Sequence, residues 1–298
     1  MKQSESARKG IAALGTEMGP AMMEGMLALF AEEQTALVAR QPALATDIAY
    51  GEHPRHRLDI YGPTALHTDL AARKTSSRPV LVFVHGGGFL KGDKGDTTRW
   101  YNACVGRMAA EQGMLGVVIN YRLAPEHTWP AGADDLAAAV TWLKQHIAEY
   151  GGNPDALFLM GTSAGANHVA TYHQQYNAQH AVKGLLLLSG LYGATPLGDR
   201  DTLYYGEHSL YDSRMALPSL SKCPLPLFIA CSEYDPPRFQ QEWLGLVHQR
   251  FIHNQRLDRA LVLSGHNHYS IAGHLGTSDT RLADEIVDFI SDILKPNG

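Results

Sequence analysis

The chain has 298 residues, 45% hydrophobic and 18% charged, with 25 lysines and arginines against 30 acidic residues for a net charge of −5. The length suits one large α/β domain with a lid, and the composition excludes a disordered chain. No basic field exists to attract nucleic acid or an anionic membrane, which excludes both as partners.

The chain opens on MKQSESARKG, with no apolar run and small-residue cleavage site behind it, so no secretory signal is expected. Gly19 to Arg40 is rich in Met, Leu and Ala at helical spacing. It is too apolar for a solvated helix, and something must cover that face. Its methionines suit an adaptable lid over a pocket. DIAYGEHPRHRLDIYGP then alternates like a strand pair, and Ala65 to Pro79 reads as a polar surface connection.

From there, short apolar runs alternate with helical patterns. The runs are Val80–Val84, Leu115–Tyr121, Ala156–Met160, Gly184–Gly190, Leu225–Cys231 and Ala260–Ser264. Segments apolar throughout fit buried parallel strands. Between them, Leu136, Val140, Leu143 and Ile147 share one face of a helix that ends at a glycine. Leu282, Ile286, Phe289 and Ile293 repeat that pattern near the end. The fold class expected is α/β, a doubly wound, mostly parallel sheet with helices on both faces and a small helical lid, its ligand site beyond the carboxyl ends of the strands. No stretch approaches the ~18 apolar residues of a membrane span. Cys104, Cys223 and Cys231 are an odd number without CxxC spacing, which points to neither a disulfide framework nor a zinc knuckle but to a reducing, cytoplasmic setting.

Four features fall at those carboxyl ends. HGGGF (His85 to Phe89) follows the first buried run, and consecutive glycines allow backbone to approach a substrate closely. GTSAG sets Ser163 in the strand–turn–helix context of a nucleophile elbow. A serine needs a base and a group that orients the base. Asp235 in SEYDPP is the acid candidate, with Glu233 and Asp212 as weaker rivals; otherwise it is an ordinary turn residue capping the next helix. His266 and His268 in GHNHYS compete as base. No metal is expected, because along the chain no carboxylate or cysteine stands at ligand spacing beside this His-x-His pair. His173, His180 and His248 carry no assigned role, and Cys231 reads as a buried small apolar residue.

With HGGGF, NYRLAPEHTWPAGADDLAAAVTWL, GTSAG, EYDPP and HNHYS in this order, the chain resembles the hormone-sensitive-lipase-like branch of the α/β-hydrolase carboxylesterases. The resemblance runs from about Asp47 to the C-terminus. It implies Ser163 as nucleophile, Asp235 as orienting acid and His268, before an aromatic residue, as base. The amides of Gly87, Gly88 and Ala164 would form the oxyanion hole, and Tyr121 to Pro130 would support the glycine loop. Thr162 and Ala166 depart from the GDSAGG of lipase-like members. With the short Ser163–Asp235 spacing they look closer to feruloyl-esterase and arylformamidase-like relatives, which leaves ester and formyl amide both open.

The expected organisation is an N-terminal helical lid segment, 1–45, and a catalytic domain, 46–298, with a lid insertion at about 191–222. Phe89, Trp100, Tyr101 and Met26, with Met22, Met23 and Leu29, are candidates for an apolar pocket wall. The substrate is expected to be a small-molecule ester with a short or aromatic group, and no cofactor is called for. An edge strand or the last helix offers a homodimer surface. The competing function class is a hydrolase-shaped binding protein without turnover.

Overall fold

Each apolar run becomes a strand in the computed structural model, which describes residues 3–176 and 181–295. The strands are β1 (Ala43–Ala49), β2 (Arg57–Tyr61), β3 (Arg78–Val84), β4 (Leu115–Ile119), β5 (Gly152–Thr162), β6 (Gly184–Leu188), β7 (Leu227–Tyr234) and β8 (Arg259–Asn267). They form one sheet in the order β1-β2-β4-β3-β5-β6-β7-β8. β1 and β2 pair antiparallel, as does β2 with β4, and every later pairing is parallel.

The period of two along each strand separates two cores. Val80, Val82, Leu157, Leu159, Leu185 and Leu187 face one layer, where the helices Ala131–His146, Ala164–Tyr176 and Pro237–Asn254 supply Leu136, Val169 and Leu246. Leu81, Phe83, Phe158, Met160, Leu186 and Leu188 face the other, against the helices Ala103–Glu111 and Arg281–Leu294. The central strands are thus covered on both sides, which is why they read as unbroken apolar runs. The sheet is doubly wound as its sequence pattern requires.

The helix around Leu136 ends at His146, tightens into a 3₁₀ turn over Ile147–Tyr150 and stops at Gly151 in the left-handed region, φ 90°. The final helix spans Arg281–Leu294. Two helices had no amphipathic signature. In Ala103–Glu111 every residue from Ala103 to Ala110 is buried, so no polar stripe marks it. Pro237–Asn254 buries only Phe239, Glu242, Leu246 and Arg250, two of them charged. The polar connection Ala65–Pro79 also folds locally, into helices Ala65–Thr68 and Leu70–Thr75, the second capped by Asp69 Oδ1 accepting the Ala72 amide at 2.9 Å.

The apolar face of Pro20–Arg40 is covered as its composition demands. Met26 and Phe30, with Ile11 from the helix Glu5–Leu14, pack with Trp100, Tyr101, Tyr234 and Tyr269. Between β6 and β7, the short helices Thr202–Tyr205, Tyr211–Arg214 and Leu217–Ser221 lie over the carboxyl end of the sheet, Tyr204 and Tyr205 packing with Phe89 and Ala164. Among the described residues, no helix is long and apolar enough to cross a membrane.

Candidate active site

Ser163 follows β5 and precedes the helix Ala164–Tyr176 with φ +53°, a left-handed conformation that a non-glycine residue adopts only when its surroundings enforce it. The surroundings are the two glycines. A Cβ on Gly165 would stand 2.0 Å from the Val84 carbonyl oxygen, and one on Gly161 would stand 2.4 Å from the Gly165 carbonyl carbon. Strand, turn and helix can therefore close only with hydrogen at both positions, and the serine between them is turned outward. Its amide donates to the Leu188 carbonyl at 2.9 Å, and its partly exposed hydroxyl takes no partner among the described residues.

Asp235 follows β7 and His268 follows β8, so parallel pairing of these strands brings their ends together. Asp235 is fully buried, and its Oδ1 accepts a 2.7 Å hydrogen bond from His268 Nδ1. Oδ2 accepts from the Ser189 hydroxyl at 2.6 Å and the Ser232 amide at 2.7 Å. Burial pushes the carboxyl up, but the bond and charge of His268, then Ser189 and the Ser232 amide, outweigh it and hold it below its ordinary value. The Phe239 ring packs 4.2 Å from the His268 ring, and His268 Nε2 takes no protein partner among the described residues. Of the rival acids, Glu233 accepts the Gly265 amide at 2.7 Å, and Asp212 is exposed on Tyr211–Arg214.

His266 points elsewhere. Its Nε2 meets Asp279 Oδ2 at 3.0 Å and its Nδ1 meets the Ser270 hydroxyl at 3.1 Å, so both ring nitrogens are committed. His274, Nδ1 donating to the Ser270 carbonyl at 2.7 Å, sets its ring at a tilt with its centroid 4.0 Å from that of His266. His266, His274 and Asp279 offer ligand atoms within 4.8 Å of one another. The expectation that no carboxylate accompanies His266 thus holds along the chain but not in space, because the turn after Gly273 brings Asp279 back. Asp279 is nonetheless held by the Arg281 fork, at 2.8 and 2.7 Å, so its charge is already balanced by a cation.

The glycine loop follows β3. Among the described residues, the amides of Gly87 and Gly88 donate to no protein group. Ala164 opens its helix, so its amide is one of the first-turn donors without an intrahelical partner. The loop is braced from below. Tyr121 donates to the His85 carbonyl at 2.9 Å and stacks on its ring at 4.4 Å, and the Ala124 amide donates to the Phe89 carbonyl at 3.0 Å. Asp135 binds the Arg122 amide at 2.6 Å and side chain at 2.7 Å. Burial lowers His85 to about 4 and His168 to about 3, so both rings stay neutral near pH 7.

The pocket candidates divide. Phe89 is 2% exposed and stacks on Tyr204 at 4.2 Å, and Met26 is fully buried under the N-terminal helices, as is Met22 at 2%. Phe89 and Met26 each sit in a buried apolar cluster. Trp100 and Tyr101 are partly exposed, and the Tyr101 hydroxyl donates to the Tyr269 carbonyl at 3.4 Å, beside His268. Met23 and Leu29 lie partly buried in the same cluster. Cys231 is buried, and burial pushes its thiol up to about 12, which leaves it inert. His180 lies outside the described residues.

Three residues had no sequence signal of their own. Ser189, at the end of β6 with φ +46°, binds Asp235; its place after an apolar strand was the only available hint. Glu242, fully buried, accepts the amides of Tyr192, Gly193 and Ala194 on Oε2 and that of Thr195 on Oε1, which fixes the start of the β6–β7 connection. Arg200, in the same connection, lies against Gly88.

The family described as having the alpha/beta hydrolase fold matches residues 81–216. A probable isoprenylcysteine alpha-carbonyl methylesterase of rice is 39% identical over 123 residues, 41% of this chain and 26% of that protein. The carboxylesterase NlhH of Mycobacterium tuberculosis is 43% identical over 117 residues, 39% of this chain and 32% of its own length. The chain thus spans about a quarter to a third of these curated relatives. Among solved structures, a hyperthermophilic esterase from Pyrobaculum calidifontis superposes with a TM-score of 0.66 at 20% identity, covering 98% of this chain and 99% of that one. The thermostable carboxylesterase EstE1, from a metagenomic library, also gives 0.66 at 20% identity, covering 92% and 98%. At that identity the likeness establishes the fold.

Proposed function

We propose that this chain, which has the α/β-hydrolase fold, is a serine carboxylesterase acting on small esters. The observation that carries the reading is the pairing of a positive-φ serine between close-packed glycines with a buried His268–Asp235 pair on the neighbouring strand ends. Matched relatives named as ester hydrolases support it.

In this reading the Ser163 hydroxyl attacks the ester carbonyl as His268 Nε2 takes its proton. Asp235 keeps the Nδ1–H tautomer and stabilises the imidazolium. Charge on the carbonyl oxygen is received by the amides of Gly87, Gly88 and Ala164, each worth about 2.7–4 kcal/mol of barrier. The alcohol leaves with the proton from His268, and water hydrolyses the acyl-enzyme by the same route. The lid role belongs to segments 1–45 and about 191–222, which pack beside Tyr269 and over Phe89. A cytoplasmic setting agrees with three free, buried cysteines. A homodimer through edge strand β8, where Val262 is 51% exposed, or through the last helix completes the reading, with light scattering as its test.

The decisive experiment is hydrolysis of 4-nitrophenyl acetate and butyrate by the wild type and by Ser163→Ala. The expected result is a loss of at least about a thousandfold with an unchanged circular dichroism spectrum. Undiminished turnover in the variant would overturn the assignment.

A further inference from the structure

Arg200 sits in the 3₁₀ turn Asp199–Asp201, and the backbone that carries it is fixed. Asp201 Oδ2 accepts the Gly198 amide at 2.9 Å and pairs with Arg238 at 2.6 Å; Arg238 in turn reaches Thr195 Oγ1 at 3.2 Å and the Pro196 carbonyl at 3.1 Å. The Asp201 carboxylate is thereby used up on a different arginine, while that of Asp199, on the other side of Arg200, is exposed and makes no ion pair among the described residues. Arg200 itself is exposed and takes no carboxylate or carbonyl partner among the described residues.

Its guanidinium is not at large on the surface. Nη2 and Cζ stand 3.4 and 3.5 Å from where a Cβ on Gly88 would be, so the cation lies beside the glycine loop. Its charge also reaches Tyr269, the residue after His268: burial raises that phenol and Arg200 opposes the rise. The cation therefore stands at the loop that offers free amides, with its field reaching the residue after His268. In a chain of net charge −5, an unpaired arginine at this mouth is a local exception. A guanidinium is a planar fork that binds carboxylates in a bidentate manner, and its hydration is weaker than that of an ammonium group.

We infer that Arg200 is a specificity-determining residue that binds a substrate carboxylate, and that the preferred substrates are esters carrying a second, ionised carboxyl group a few bonds from the scissile carbonyl. The inference rests on the esterase reading above. Arg200 takes no part in bond making; it holds the substrate by an ion that neutral esters lack.

The test compares matched probes. 4-Nitrophenyl hemiglutarate against 4-nitrophenyl valerate places the anion on the acyl side, and 4-acetoxybenzoate against phenyl acetate places it on the leaving group. For one of the pairs, Arg200→Gln is expected to lower the anionic-to-neutral ratio of kcat/KM by about tenfold or more, with Arg200→Lys recovering part of it. The wild-type ratio for that pair is expected to fall as salt is raised. Ratios unchanged within about twofold in both pairs, with the neutral esters hydrolysed, would overturn this inference and leave the esterase reading intact. Failure of the wild type to hydrolyse any of the four would sink both.

Discussion

His266 and His268 are two residues apart, and each meets a buried aspartate, yet the two pairs differ in what remains of the ring. His268 gives Nδ1 to Asp235 and, among the described residues, keeps Nε2 without a protein partner, whereas His266 spends Nε2 on Asp279 and Nδ1 on Ser270. The aspartates differ as well. Asp235 is held by hydroxyl and amide donors and its one ionic partner is His268, while Asp279 already carries the Arg281 fork. A buried His–Asp pair is thus no signature of catalysis by itself. What matters is a second nitrogen left for the substrate and a carboxylate left to stabilise the imidazolium.

The contrast breaks most sharply on exchange of the two rings. His268→Ala is expected to cut kcat by about ten-thousandfold without loss of fold, measured on 4-nitrophenyl butyrate. If His266→Ala lost more turnover than His268→Ala, the roles assigned here would be reversed.

Asp279→Asn should act on stability instead. Removing the carboxylate from its histidine and arginine partners is expected to cost about 3 kcal/mol in urea unfolding. The folded variant should keep its kcat within about threefold. A large fall in kcat with unchanged stability would place the second pair in the chemistry.

Acid sharpens the same distinction. Burial, the largest effect, and then the neighbouring His266 push His274 from the ordinary histidine value down to about 3, so the folded chain refuses a proton that the unfolded chain accepts near pH 6.5. Stability from this ring is therefore complete above that pH and is lost as pH falls toward the folded value. Between pH 7.5 and 5, its share of the lost unfolding free energy is about 2 kcal/mol, and His274→Gln should flatten the profile by that amount. Parallel profiles for wild type and variant would argue against a neutral ring at this position.

The smallest effect is expected at Ser189. Its buried hydroxyl donates to Asp235, so Ser189→Ala should lower kcat roughly tenfold at constant KM. An effect on KM alone would mean that Ser189 meets the substrate directly.

Much of this architecture was legible in the sequence. The apolar runs from Val80 to Ser264 had to be buried strands, because a segment without polar alternation must be covered on both faces. The elbow was legible as a motif, but only Gly161 answers a demand within the turn, its Cβ position meeting Gly165 and Ala166, whereas that of Gly165 meets Val84 and His85 at the end of β3. Helix Ala103–Glu111 was not legible, since a helix buried all round has no periodicity. Nor was the burial of Phe89 and Met26, because an aromatic ring or a thioether reads the same in a core as on a pocket wall.

What the chain could not reveal was every decision made between distant segments. HNHYS contains two histidines of equal chemistry; the resemblance favours His268, but the physical difference lies in the position of Asp235 beside one and of Asp279 with Arg281 beside the other. Ser189 acquires its purpose from Asp235, 46 residues later, and Arg200 acquires its place from Gly88, on another strand's loop. Composition and period act along the chain, and so they fix strands and turns. Hydrogen-bond and charge partners are chosen across the sheet, where parallel strand order brings together ends that the sequence keeps far apart.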